Sequence, residues 1–383
     1  MWAVVAVVLA LAVPGCSGGG AGSGGPSTTG STSRQLEWLS LDSAGWSHSS
    51  QLRGLYDGFP PGLAANDEAV VALVGDRPEA FRSTDGLAWQ PTEGFPEMFL
   101  GCPFTVAGGP LGFVAAGFRD TGADGVPNTP VVAFSTDGAR WEEIDPRALP
   151  TDEIAWFTDV FAGPDGFLAL GAGATLMAGG PEGFAWFSPD GRTWTAAGLG
   201  LAFGGQSTAA STEDGWVVIT EYSSRSSDRG VWTSEDGQTW SKVETVSTPP
   251  RGSVTAYCGT VPLAVLGDTW VLPETERSSG PGMVVWVSTD AGVTWNQHTV
   301  LDVLADPWHG VHDLAATPSG FVLTGWGYEE PEGEHALVSY STDGTTWETT
   351  SSTDTEAITR IATMGDTLIL VGEDLVTHVW NAP

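Results

Sequence analysis

Short apolar runs, each led by an aromatic or aliphatic residue and preceded by a turn, recur along the chain. The clearest is Pro164-Asp165-Gly166-Phe167-Leu168-Ala169-Leu170-Gly171, which predicts a strand, a tight turn and a second strand. Related copies stand at Leu111-Gly112-Phe113, Asp214-Gly215-Trp216, Asp268-Thr269-Trp270 and Ser319-Gly320-Phe321. Weaker ones lie at Glu68-Ala69-Val70 and Asp366-Thr367-Leu368, which makes seven.

Between these hairpins runs a second repeat, Ser-x-Asp-Gly-x-x-Trp. Its aspartates are Asp85, Asp137, Asp190, Asp236 and Asp343, and a copy one residue longer contains Asp290. The six follow one another at intervals of 52, 53, 46, 54 and 53 residues, the length of one four-stranded propeller blade. The residue types suit a turn. The carboxylate accepts from backbone N–H groups of its own loop, Gly supplies a positive φ, and Trp begins the next strand and covers the hairpin. These aspartates are therefore expected to be structural, with no catalytic role.

Each unit thus carries strands A and B around the first turn and strands C and D around the second. The expected fold is an all-β, seven-bladed β-propeller of four-stranded antiparallel blades, because radial repetition leaves only short, protected sheet edges. The seventh unit ends after Val376-Thr377-His378-Val379-Trp380, before any Asp-centred turn, whereas Ser40-Leu41-Asp42-Ser43-Ala44-Gly45-Trp46 is a degenerate copy of one. The two chain ends are expected to share blade seven. Whether the N-terminal piece adds one strand or a hairpin stays open.

The Ser-x-Asp-Gly-x-x-Trp turns resemble the Asp boxes of the sialidase-like (BNR-repeat) propellers, over nearly all of residues 34–383. That resemblance implies box turns on one face and the functional site on the other, in the D-to-A and B-to-C loops. A sialidase would need three carboxylate-clamping arginines, an Arg-Ile-Pro signature before the first box, and a Tyr nucleophile paired with Glu. Phe81-Arg82-Ser83 occupies the signature position. Candidate arginines (Arg119, Arg225, Arg229, Arg251, Arg277, Arg360) and tyrosines (Tyr222, Tyr257, Tyr328) exist without a pairing motif.

Composition adds an address. Residues 1–15 contain an apolar run of signal-peptide length, too short to span a bilayer, and end at Cys16 in a sequence resembling a bacterial lipobox. Residues 16–33 then form a lipidated Cys and a Gly/Ser-rich tether, with the propeller in 34–383. The expected location is the outer face of the bacterial cell membrane, with the lipid as the only membrane contact. A net charge of −33 excludes nucleic acid as a natural partner and fits a strongly solvated, monomeric surface. Cys102 and Cys258 either form a disulfide or remain as two buried thiols, since both precede A strands of distant blades.

Candidate chemistry is sparse. No cofactor motif is present, and no metal site is expected. His309 and His312 sit three apart on an extended segment without a third ligand, and Asp120 to Asn128 lacks the ligand order of a calcium loop. The run from Glu329 to His335 is a solvated loop. Residues preceding the A strands line the channel mouth, and the candidate ligand site there comprises Trp156, Asp159, Tyr257, Trp308, His309, His312 and Arg360. The expected function is a non-enzymatic cell-surface scaffold for an unknown protein or glycan. The alternative is a surface glycoside hydrolase with two loop-face carboxylates.

Overall fold

The computed structural model describes residues 45–55, 61–75, 78–98, 105–119, 129–145, 147, 149, 154–173, 183–197, 207–220, 230–245, 262–274, 283–301, 309–329, 333–352 and 355–381. The signal segment, Cys16, the tether, Cys102, Tyr257, Cys258 and Trp308 lie outside them, as do the side chains of Trp156 and His309.

The described residues form a seven-bladed β-propeller of seven four-stranded antiparallel sheets. Blade one holds β2 (Gly62–Ala65), β3 (Val70–Val74), β4 (Glu79–Ser83) and β5 (Gln90–Pro91). Blade two holds β6 (Thr105–Gly109), β7 (Gly112–Arg119), β8 (Thr129–Ser135) and β9 (Glu142–Glu143). Blade three follows with β10 (Ile154–Gly163), β11 (Gly166–Gly173), β12 (Gly183–Ser188) and β13 (Thr195–Ala197). Blade four contains β14 (Ser207–Thr212), β15 (Gly215–Thr220), β16 (Gly230–Ser234) and β17 (Ser241–Lys242). Blade five contains β18 (Ala264–Leu266), β19 (Thr269–Pro273), β20 (Met283–Ser288) and β21 (Asn296–Leu301). Blade six is built from β22 (His309–Thr317), β23 (Gly320–Glu329), β24 (Gly333–Ser341) and β25 (Glu348–Ser352).

Blade seven joins the chain ends. Its strands A to C are β26 (Ile358–Met364), β27 (Thr367–Gly372) and β28 (Thr377–Asn381), and strand D is β1 (Trp46–Ser49). The described N-terminal contribution is thus one strand, paired Trp46 to Trp380 and His48 to His378. A short 3-10 turn at Arg53–Leu55 leads from it toward blade one.

The B strands are apolar throughout because both of their faces are covered. Along β3, Val70, Ala72 and Val74 pack toward blade seven, and Val71 and Leu73 pack toward blade two. Along β11, Phe167 and Ala169 face blade two while Leu168 and Leu170 face blade four. The period of two survives, but each half of it meets a different apolar neighbour. One hydrophobic cluster fills every blade-to-blade interface, including blade seven to blade one, so the ring is closed by core packing as well as by β1. The aromatic at the start of each well-formed B strand is an anchor: Phe113 and Phe321 are fully buried. Each contributes about 2 to 3 kcal/mol through removal from water.

The box turns are held by their carboxylates. Asp85 Oδ1 accepts N–H bonds from Leu87 and Ala88, both at 2.8 Å. Asp343 Oδ1 does the same for Thr345 and Thr346, again at 2.8 Å. The Ser that opens each box donates its hydroxyl to the Asp at 2.8 to 3.3 Å. In the six full boxes Trp closes the turn one residue before strand D, whereas Trp46 of the degenerate copy opens β1 as expected; the indole N–H reaches back to the box Gly carbonyl in the boxes ending at Trp194, Trp240, Trp295 and Trp347. The Gly is needed for a second reason besides φ. A Cβ at Gly191 would lie 2.2 Å from the Phe134 ring, because each box turn tucks against the preceding blade.

Asp236 shows the electrostatic side of this turn. N–H bonds from Thr239 at 2.6 Å and Gln238 at 2.8 Å hold its carboxyl down to about 2. A folded pKa below the ordinary 3.8 means that the ionised turn stabilises the fold above about pH 4, and that this is lost as pH falls toward 2. Asp236→Ala is expected to lower Tm by about 1 to 2 °C at pH 7 and by less at pH 2.5, measured by differential scanning calorimetry.

Candidate functional site at the channel mouth

Three A strands carry a bulge at the same depth. In β10 the register slips between Phe157 and Asp159, in β22 between Val311 and Asp313, and in β26 between Ile358 and Arg360. The extra residues are Thr158, His312 and Thr359, and the residues that follow, Asp159, Asp313 and Arg360, each stand seven positions before the start of strand B. A bulge adds one residue to one strand and re-aims its side chains, so simple alternation fails there. His312 is itself the bulged residue of β22, so its direction does not follow from the alternation of the strand.

The bulges wire blade six to blade seven. Asp313 Oδ1 accepts the N–H of Leu314 at 2.8 Å, and Oδ2 accepts the N–H of Ile361 on the neighbouring blade at 2.8 Å. His312 Nδ1 meets the Ile358 carbonyl at 3.1 Å, and Arg360 donates to the Thr359 carbonyl at 2.7 Å. In blade three, Asp159 Oδ1 likewise accepts from Val160 at 2.8 Å. Of the seven candidate residues, the structure brings His312 and Arg360 together and adds Asp313, while Asp159 belongs to a blade on another part of the ring.

Burial sets the charges in this group. It raises the Asp313 carboxyl, against which the Arg360 cation and the two N–H bonds pull. Burial also lowers His312 to about 4, with the Arg360 charge adding to the effect and the Ile358 carbonyl opposing it. His312 is therefore neutral at pH 7 and donates Nδ1–H to that carbonyl. Because its folded pKa lies below the ordinary 6.5, its contribution to stability is present above pH 6.5 and is lost as pH falls to about 4. Asp313 has the opposite sign, and it is common to both proteins in a comparison with His312→Gln. The stability difference between the protein and H312Q is expected to shift by roughly 2 kcal/mol between pH 6.5 and pH 4, measured by urea unfolding.

Two further features lie off the channel. On the loop face, Glu334 of β24 has a raised carboxyl pKa, first through burial and then through the charges of Glu373 and Glu356 on blade seven. On the box face, a cleft of about 640 Å³ opens between blades four and five. It is lined by Glu213, Asp214, Glu235 and Asp268 over the indoles of Trp216 and Trp270, with Ala291 of the lengthened box at its edge. Ala291 takes φ 52°, a left-handed conformation that the one-residue insertion forces on a non-glycine. The sequence marks Glu334 only as part of the acidic run from Glu329 to His335, and it gives no sign of the cleft. Among the described residues no group of three or more His, Cys, Asp or Glu side chains could hold a metal ion.

No protein-family model matches the chain, and no curated protein does. Solved structures do match. A protein proposed as a 6-phosphogluconolactonase from Bacteroides fragilis is 11% identical, with 83% of this chain and 92% of that one covered and a TM-score of 0.51. The six-bladed fucose-recognising lectin of Aleuria aurantia is 10% identical over 76% of this chain and 96% of that one, at a TM-score of 0.47. A neuraminidase-like protein of subtype N11 from A/flat-faced bat/Peru/033/2010 is 11% identical over 88% and 95%, at 0.42. Such likeness concerns the fold alone.

Proposed function

We propose that this chain, a β-propeller, is an exported binding scaffold of the sialidase-like group, tethered by a lipid on Cys16 and presenting its loop face to a protein or glycan without chemical turnover. The observation that carries this reading is the employment of the channel-mouth polar groups. Both oxygens of Asp313, His312 Nδ1 and one nitrogen of the Arg360 guanidinium are bound to main-chain partners, and two of these bonds, Asp313 Oδ2 to Ile361 and His312 Nδ1 to Ile358, tie blade six to blade seven. Asp313 Oδ2 and His312 Nδ1 cannot exchange protons with a substrate without loosening the seam between these two blades. What remains is a rigid frame on which loops are displayed, the usual arrangement for recognition. The strong negative charge favours neutral or basic ligands over anionic ones.

A glycoside hydrolase is the second reading, and Glu334 favours it. Glu334 is exposed, and partial desolvation together with two neighbouring carboxylates raises its carboxyl pKa, the direction that a general acid needs. A glycan-array screen of the purified protein, run beside hydrolysis of aryl glycosides, separates the two. Binding without turnover supports the scaffold, whereas turnover abolished by Glu334→Gln overturns it. Detergent-phase partitioning of the expressed chain tests the anchor: Cys16→Ala should move the protein from the detergent to the aqueous phase.

A further inference from the structure

The seam that closes the ring contains two facing histidines. His48 of β1 and His378 of β28 are direct cross-strand partners, and their Nδ1 atoms stand 2.8 Å apart with the rings edge-on at 85°. His378 is 4% exposed, while His48 is exposed at the rim of the blade. Two neutral imidazoles facing through the same nitrogen type share a single proton, so one nitrogen must donate and the other accept.

We propose that His48 and His378 form a two-imidazole chelate for a divalent transition-metal cation, of the Cu(II) or Ni(II) type, that pins the N-terminal strand to the C-terminal one. The spacing argues for this class of ion. Two nitrogens bound at about 2.0 Å in adjacent positions of a square plane lie about 2.8 Å apart, whereas a tetrahedral site needs about 3.3 Å. The hydrogen-bonded pair stands at 2.8 Å, so an ion that takes the place of the shared proton finds both nitrogens already within bidentate reach. The buried His378 ring keeps its place, and the exposed His48 ring turns about Cβ–Cγ, a soft torsion, to bring its lone pair onto the ion in exchange for the hydrogen bond between them.

The surroundings suit a cation. Asp374 lies close enough to His378 to act on its protonation, although it also pairs with Arg53 at 3.3 Å. A chain charge of −33 raises the local concentration of any positive ion. Water fills the outer coordination positions, so the affinity is that of a bidentate site rather than of a closed structural one. The consequence is mechanical. An ion bound by residues 48 and 378 joins the two ends of the chain and stabilises only the closed ring.

The test is titration of chelator-stripped, untagged protein with CuSO4, followed by calorimetry, Cu(II) electron paramagnetic resonance and thermal unfolding, in parallel with His48→Gln. His48 is exposed, so this variant folds, and it keeps the remaining histidines as an internal control. The expected result is one equivalent bound, an axial spectrum with coupling to two nitrogens, and a rise in Tm of about 4 °C at a hundredfold excess over Kd. In His48→Gln the two-nitrogen signal and the Tm rise are expected to vanish. Equal Tm shifts in both proteins, or a spectrum unaffected by His48→Gln, would overturn the proposal.

Discussion

Replacing Trp46–Ser49 with a Gly-Ser segment of equal length is expected to cost the fold at least about 5 kcal/mol and to make the protein associate at micromolar concentration. The strand is short, but it does two separate things. Trp46 is 6% exposed and packs with Val322, Val338, Ile358 and Leu370 in the cluster between blades six and seven, with the Trp380 ring 5.7 Å away. Loss of a buried Trp side chain costs about 3 to 5 kcal/mol by itself. Loss of the β1–β28 ladder then leaves the outer edge of β28 unpaired, and an exposed edge strand recruits other chains. Trp46→Ala alone should show the packing loss without the association. Chemical unfolding measures the first effect and analytical ultracentrifugation the second. A replaced strand with unchanged midpoint and mass would mean that core packing alone closes the ring.

Gly320→Ala is expected to destabilise the protein by about 3 kcal/mol or more. Gly320 opens β23 with φ +149°, and a Cβ there would lie 2.2 Å from the Ser341 carbonyl oxygen. Two costs add: an L side chain is strained at this φ, and the clash is with backbone, which cannot move without pulling the box turn out of place. The comparison that isolates the second cost is Gly333→Ala, at φ +90° with nothing within 4 Å, where about 1 kcal/mol is expected. Denaturant unfolding of the two variants should separate them clearly. Equivalent destabilisation of both would show that φ strain, and not the approach to Ser341, dictates glycine at the A–B turn. The same approach recurs at Gly112, Gly166 and Gly215, each within 2.4 Å of a box Ser carbonyl.

The channel mouth was legible only in part. Arg360, Asp159 and His312 were visible as polar residues just before apolar runs, yet Asp313, which ties blades six and seven, was passed over in favour of its histidine neighbours. A signal for it existed: Asp159, Asp313 and Arg360 all precede strand B by seven residues. That alignment has meaning only once the bulges are known, because without them the residue following each bulge would face the other side of its strand. Glu334 was read as part of a solvated loop, since nothing local announces the charges of Glu356 and Glu373 beside it.

Sequence alone determined the blade number, the strand order within a blade and the function of the box aspartates as turn acceptors. These rest on interactions within a few residues, such as Asp85 with Leu87 and Ala88, and on a period that repeats such local units. Tertiary structure alone decided that one strand, β1, closes blade seven, that His48 meets His378, and that Asp313 reaches Ile361. Those contacts join residues 330 and 48 positions apart. Their partners are chosen by how seven twisted sheets pack around one axis, which no local pattern encodes.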